Sequence, residues 1–351
     1  MKTREYKVEN HTIGQTSRPF IIAEVSGNHN GDLRRALDIV DMVAESGAQA
    51  VKLQTYTADT ITINSNRPEF MISKDHPLWG GKNLYQLYEE AHTPWEWHEE
   101  IFSRARSKGL VPFSSPFDST AIELLESLDA PLYKVASLEI GDLPLLRRIA
   151  RTGKPVILSN GAASMTDMDR AIRTIREEGN DQIVLLACTS SYPASPSESN
   201  LRTIPVLANA FDIQIGLSDH TMGIGAAIAA VAMGATVIEK HVTLSRADGG
   251  VDSDFSLEPH ELSALVTESE VAWLSMGSPS LKVTDGESES LRLRRSLYVV
   301  EPVKKGDLVT ASNVRSIRPA GGLEPDMFDT VVGRPFTADC QPGTPLTWAV
   351  V

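Results

Sequence analysis

From residue 20 to about residue 275 the chain alternates short apolar runs with amphipathic segments, the rhythm expected of βα units around a parallel sheet. In order, the strand-like runs are FIIAEV (20–25), AVKLQ (50–54), VPFSS (111–115), YKVAS (133–137), PVILS (155–159), IVLLA (183–187), IQIGLS (213–218) and VIEK (237–240). The intervening segments, such as 33–46 and 143–151, carry apolar residues three and four apart, which predicts helices with one buried stripe. Eight strands separated by helices over roughly 250 residues predict an α/β fold of the (β/α)8 TIM-barrel class. A doubly wound sheet more often has fewer strands and a glycine-rich nucleotide loop.

The rhythm breaks in two places. Between the second and third strands, residues 55–92 are rich in Asn, Pro, Trp and Tyr and exceed a usual βα loop, which predicts a lid or specificity loop. After residue 276 the chain becomes polar and aperiodic. We therefore expect a barrel over 1–278, a linker over 279–290 and a small domain of short strands and turns over 291–351, too small to hold an active site alone.

Composition narrows the function classes. Against 33 Lys and Arg stand 46 Asp and Glu, a net charge of −13, which argues against nucleic-acid binding through bulk charge and for a small partner. The charge is uneven: residues 291–351 hold eight basic against six acidic residues, so the acidity lies on the barrel and linker. With only Cys188 and Cys340, and no apolar stretch at the N-terminus, the expectation is a cytoplasmic protein, not a disulfide-built secreted one. The weakly polar stretch 223–238 is shorter than the ~20 residues of a membrane span. It reads as a buried helix running into a strand.

In barrels of this class, functional groups sit where strands end, and polar residues are dense there. Glu24, Lys52, Gln54, Ser115, Lys134, Ser137, Ser159, Ser190, Tyr192, Ser218, His220 and His241 all lie at or just past strand ends. Singly, a strand lysine reads as readily as an edge residue, and a serine as a cap. Jointly, two inward lysines without adjacent strand carboxylates are expensive to bury unless a phosphate or carboxylate ligand pairs them. His220 and His241, at equivalent ends of neighbouring strands, are expected to converge on one divalent ion with open positions, as a Lewis acid requires. Mn²⁺ is the expected ion, because a transition ion suits imidazole better than Mg²⁺ does, with Mg²⁺ or Co²⁺ as the alternatives since availability can override affinity. Asp252 lies in the glycine-rich loop after the eighth strand. Residues 222–227 do not form a dinucleotide fingerprint, and no P-loop, zinc-protease or nucleophile-elbow motif occurs.

These residues, in this order, resemble the sialic acid synthase family, whose members condense phosphoenolpyruvate (PEP) with an acylamino sugar. The carriers are AEVSGNHNG (23–31), VKLQTY (51–56), SSPFD (114–118), YKVAS, GKPVILSNG (153–161), GLSDHT (216–221) and EKHVTL (239–244). The C-terminal RSLYVVEPVKKGDLVTASNVRSIRPAGG resembles the family's antifreeze-like (SAF) domain. NLYQLYEEAHTPWEWH (83–98) and DGGVDSDFSLEP (248–259) look like the pseudaminic acid branch. That resemblance implies a 2,4-diacetamido-2,4,6-trideoxy-altrose substrate. The N-acetylneuraminate and legionaminate branches share the same PEP chemistry.

By position, the resemblance implies PEP binding at Lys52, Ser115, Lys134, Ser137, Ser159, Ser190 and Ser218, and metal ligation at His220 and His241. It places Glu24 beside the reacting centre and Gln54, Tyr192 and Asp252 on the sugar. It also implies a domain-swapped homodimer in which Arg318 reaches over the neighbouring barrel. Ser159-Asn160-Gly161-Ala162 stands where the family commonly has Ser-Thr-Gly-Met, and Ser190 stands where N-acetylneuraminate enzymes carry asparagine. The rivals are a metal-dependent or Schiff-base pyruvate aldolase and, more remotely, a non-catalytic carbohydrate-binding protein.

Overall fold

A computed structural model describes residues 5–74 and 80–351. The chain opens with an antiparallel hairpin absent from the sequence expectation, β1 (Tyr6–Val8) and β2 (His11–Ile13). All eight expected barrel strands follow: β3 (Phe20–Glu24), β4 (Ala50–Thr55), β5 (Val111–Pro116), β6 (Tyr133–Val135), β7 (Val156–Ser159), β8 (Ile183–Cys188), β9 (Gln214–Ser218) and β10 (Val237–His241). They are parallel and close in the order β10-β3-β4-β5-β6-β7-β8-β9, the TIM-barrel topology.

Between them run α1 (Leu33–Glu45), α2 (Ala58–Ile61), α3 (Leu84–Ala91), α4 (His98–Ser107), α5 (Ser119–Ser127), α6 (Leu143–Ala150), α7 (Met165–Glu177), α8 (Thr203–Phe211), α9 (Gly225–Ala232) and α10 (Pro259–Met276). Local chemistry sets several starts. Asp32, Asp118 and Asp142 accept backbone N–H bonds at the openings of α1, α5 and α6, and Ser164 does so with a reciprocal bond from Asp167 at α7.

Strand alternation sorts the barrel into an outside and an inside. One parity, including Ile21, Val51, Leu53, Val135, Leu158, Leu185 and Ile215, joins the helix stripes in one apolar cluster. The other parity supplies Phe20, Ile22, Ala50, Val111, Phe113, Leu132, Ile157, Val184, Leu186 and Val237, a separate cluster that also takes in Tyr6, Val8 and Ile13 of the hairpin. Continued two residues further, this second parity reaches Glu24, Lys52, Ser115, Lys134, Ser159, Ser218 and Glu239. The apolar interior layer is thus the floor beneath the polar strand ends.

The insertion 55–92 contains α2, a 3-10 turn (Pro68–Phe70) and α3, with a bridge from Met71 to Asn83 across it. Part of it, residues 75–79, lies outside the described residues. The chain divides into compact units at Met1–Gly277 and Ser278–Val351. The second unit begins with the segment read as a linker, which holds a 3-10 turn (Asp285–Glu287) and α11 (Ser288–Leu291). It continues into β11 (Ser296–Val299) and β12 (Val314–Ile317), paired antiparallel over a core of Leu297, Val299, Val314, Phe336 and Leu346. Among the described residues no helix is long and apolar enough to cross a membrane.

Candidate active site

At the upper end of the interior four charged side chains are buried together. Lys52 on β4 is ion-paired with Glu24 on β3 and lies 3.7 Å from a carboxylate oxygen of Glu239 on β10, while Lys134 on β6 lies 3.8 Å from Glu239. All four side chains are at most 6% exposed. This corrects the expectation that the two lysines lack adjacent strand carboxylates. The charges needed to bury them come from neighbouring barrel strands, which inspection of each lysine's own strand could not reveal. Glu239 is the site residue that sequence reasoning left without a role; its parity with His241, two residues on, was the available signal.

The carboxylates are driven apart in acidity. Burial raises the Glu24 carboxyl to about 7, opposed by Lys52 and reinforced by the like charge of Glu239. Burial also pushes Glu239 up, but Lys134 and Lys52 outweigh it and hold this carboxyl below its ordinary value. Ser218 donates to Glu239 Oε1 at 2.9 Å. Lys134 is lowered by burial and by Lys52, whereas Lys52, despite burial, is raised by Glu239 and Glu24. One carboxyl is therefore poised to exchange a proton near neutrality, and the other remains a fixed counter-charge to two lysines.

The serines surround this quartet. Lys52 donates to Ser115 Oγ at 3.4 Å, and Ser159 Oγ is buried without a hydrogen-bond partner. Ser137 opens a 3-10 turn after β6 and accepts from the Gly161 backbone N–H at 3.1 Å. A Cβ on Gly161 would sit 2.0 Å from Ser190 Oγ and 2.7 Å from Ser137 Oγ, so only glycine lets these hydroxyls close around the turn. The neighbouring Asn160 ties β7 to β8 by accepting from the Cys188 backbone N–H at 2.9 Å, and Ala162 adopts a left-handed φ of 59°. Asn160, one of the departures from the resembled pattern, thus has a defined local role.

His220 and His241 come together, their rings 5.4 Å apart between centroids. The His220 Nδ1 faces the Thr189 carbonyl at 2.9 Å, which assigns the proton to that nitrogen and leaves Nε2 a lone-pair donor. His241 Nδ1 is buried without a hydrogen-bond partner, and burial keeps that ring neutral by lowering its pKa well below normal. Burial lowers the His220 pKa as well, but Cys188 and the Thr189 carbonyl outweigh it and raise it above its ordinary value, so His220 Nε2 is open to a divalent transition ion once that ring is deprotonated, beside the neutral His241. Among the described residues no group of three or more His, Cys, Asp or Glu forms a complete protein cage.

Behind them, Lys240 points to the other side of the strand and donates to Asp219 Oδ2 at 3.0 Å, Thr221 O at 2.6 Å and Gly223 O at 2.8 Å, fixing the turn that presents His220. Tyr192 packs on the His220 ring at 4.4 Å. Asp252 accepts from Ser26 and approaches His241 Nδ1 to 3.8 Å, and Gln54 donates to Glu24 Oε1 at 3.2 Å. Every predicted site residue of the barrel thus belongs to one contiguous set. Arg318 is exposed on the C-terminal unit, directly after β12.

A cavity of about 400 Å³ opens from this set, with Ser26, Gln54, Ser137, Tyr192, His241 and Asp252 on its inner side. A larger groove of about 770 Å³ runs between α1 and α4 on the helical outside, among charged residues such as Arg34 and Glu100, and contains none of these groups.

Residues 39–280 match the NeuB family, and residues 294–351 match the SAF domain. The chain belongs to the NeuB family. Among curated NeuB relatives, the pseudaminic acid synthase of Helicobacter pylori is 41% identical over 94% of this chain and 96% of its own length. The pseudaminic acid synthase of Campylobacter jejuni serotype O:23/36 is 39% identical over 93% and 95%. Among solved structures, the N-acetylneuraminic acid synthetase of Leptospira borgpetersenii superposes with a TM-score of 0.72 at 33% identity, covering 82% of this chain and 95% of that one. NeuB membership bears out the expected class, an enzyme of the PEP-dependent nonulosonic acid synthases, which form a C–C bond.

Proposed function

We propose that the protein is a pseudaminic acid synthase: it condenses PEP, 2,4-diacetamido-2,4,6-trideoxy-L-altrose and water to pseudaminic acid and phosphate by C–O cleavage. The observation that carries this reading is the burial together of two lysines and a carboxyl poised near pH 7, with two imidazoles 5.4 Å apart, among the strand ends from which a sugar-sized cavity opens. The names of the relatives above point to the same reaction.

Lys52 and Lys134 bind the carboxylate and phosphate of PEP, with Ser115, Ser137, Ser159, Ser190 and Ser218 donating to the remaining oxygens. His220 and His241 would hold a divalent ion, Mn²⁺ by preference, which would supply Lewis-acid polarisation of the sugar aldehyde. Gln54, Tyr192 and Asp252 orient the open-chain sugar so that its C1 faces C3 of PEP. As that bond forms, positive charge develops at C2, and Glu24 takes the proton from the water that adds there. Glu239 stays ionised and keeps both lysines charged. Loss of phosphate from the tetrahedral carbon then completes the turnover.

Incubation with PEP, Mn²⁺ and a panel of acylamino sugars, followed by phosphate release and product mass, tests the reaction. Phosphate release with the trideoxy sugar supports it, whereas pyruvate use with borohydride inactivation would establish an aldolase instead. The working unit is a cytoplasmic homodimer in which Arg318 completes the neighbouring site. Mixed Arg318→Ala and Glu24→Gln subunits should then recover about a quarter of wild-type sites, because each hybrid dimer rebuilds one intact site. No recovery after demonstrated subunit exchange would remove the swap.

A further inference from the structure

The cavity has two chemically different halves. Its inner side carries Ser26, Gln54, His241 and Asp252, at or after the ends of barrel strands, and its outer side is built by the insertion after β4, where Ile61, Ile72 and Leu84 face the space. All three are partly buried on a wall otherwise open to the cavity. Tyr56, Tyr88 and Phe117 line the same cavity as an edge-to-face aromatic cluster, with Tyr56 5.6 Å from Tyr88 and 5.2 Å from Phe117 between ring centroids. These contacts make a stiff apolar surface, which is unusual for a sugar site unless the sugar itself is apolar there.

The reaction fixes which end of the sugar meets that wall. The aldehyde carbon must lie inward, beside the lysines and imidazoles, so the chain runs outward and its C6 end arrives at the insertion. On the proposed pseudaminic acid synthase reading, on which this step rests, C6 is a methyl group. We infer that Ile61, Ile72 and Leu84 receive the deoxygenated C6 end of the sugar and select 6-deoxy substrates over 6-hydroxylated ones. A hydroxyl placed against three aliphatic side chains loses water and gains no partner, whereas a methyl loses nothing.

The test compares the 2,4-diacetamido-2,4,6-trideoxy sugar with its 6-hydroxy analogue at saturating PEP, reading kcat/KM from phosphate release. The wild-type enzyme should favour the 6-deoxy sugar by about 10- to 100-fold, the scale on which an apolar pocket rejects an added hydroxyl. Leu84→Asn, which offers that hydroxyl a donor and an acceptor, should narrow the ratio about tenfold, and Ile61→Thr should narrow it less. Both variants should leave the KM for PEP unchanged. Equal use of the two sugars by the wild-type enzyme, or a ratio untouched in both variants while the trideoxy sugar still turns over, would overturn the selection and leave the reaction standing. Phosphate release with neither sugar would overturn the reaction itself.

Discussion

Two layers of the same barrel interior, two residues apart along the same strands, solve opposite problems. In the lower layer Ile22, Ala50, Phe113, Leu132, Ile157, Leu186 and Val237 pack as an apolar plug sealed by the hairpin from below. In the upper layer, at the next inward positions, Glu24, Lys52, Lys134 and Glu239 are as deeply buried, yet all four are charged side chains. Burying an isolated ion is costly, so the upper layer persists because its two positive and two negative groups are interleaved. The lower layer excludes water and so keeps the interactions above it in a low-dielectric setting, where they are strong enough to shift acidities. On the proposed reading the packed layer serves stability and the charged layer serves chemistry, and the variants below measure how far the two separate.

The largest effect is expected at the imidazole pair. A His220→Ala, His241→Ala double variant should lose on the order of 10³-fold in kcat, and chelation should silence the wild-type enzyme until Mn²⁺ is restored. Mn²⁺ binding followed directly should vanish in the double variant while its melting temperature stays close to normal. Retained turnover would detach the ion from these residues.

Glu24→Gln follows, with about 10²- to 10⁴-fold lower kcat, the range for a lost proton acceptor. Glu24 accepts a proton only when ionised, so wild-type kcat/KM should climb as pH rises through about 7, and this limb should disappear in the variant. Stability carries the opposite sign. Since the folded carboxyl titrates near 7 against an ordinary value of 4.5, the native chain retains a proton the unfolded chain has released between these values. This group therefore makes stability decline as pH rises through that window, and Glu24→Gln should flatten the slope. Near-normal turnover with unchanged PEP affinity would remove Glu24 from proton transfer.

Lys52→Ala and Lys134→Ala come next. A charge-assisted contact of ~1.5–3 kcal/mol corresponds to an increase in the KM for PEP of about 10- to 100-fold. The two should differ in stability: removing Lys52 strips Glu24 of its ion pair and Glu239 of a neighbour, whereas Lys134 faces Glu239 alone. Lys52→Ala should therefore melt lower. Unaltered saturation by PEP in both variants would end the assignment of an anion site to these lysines.

The two layers also explain what could be read from sequence. The barrel was legible because its strands are near-continuous apolar runs, and the strand ends because polar residues interrupt those runs at a fixed parity. Glu239 escaped because its partners, Lys52 and Lys134, are distant in sequence and adjacent only once β10 closes on β3 and the lysines project across the interior. The β1–β2 hairpin escaped because its two three-residue strands give almost no periodic signal and acquire a purpose only as the lower plug. Lys240 was visible as a third polar residue beside His241, but its outward direction and its grip on the 219–223 turn required the fold.

The smallest predicted effect sets the boundary between the layers. Ile157 lies two residues below Ser159 on β7 and is fully buried, so Ile157→Val removes one methylene from the plug without touching a charge. The cost should be about 0.5–1.5 kcal/mol in unfolding free energy, with kcat and the KM for PEP within about twofold of wild type. Packed interiors transmit strain, so this near-silence is a demanding expectation. If the cavity shifted Ser159 and with it the oxygen donors around PEP, the KM would rise out of proportion to the lost stability. The layers would then form one cooperative unit, and the division between a packed floor and a reactive cup would fail at its closest point of contact.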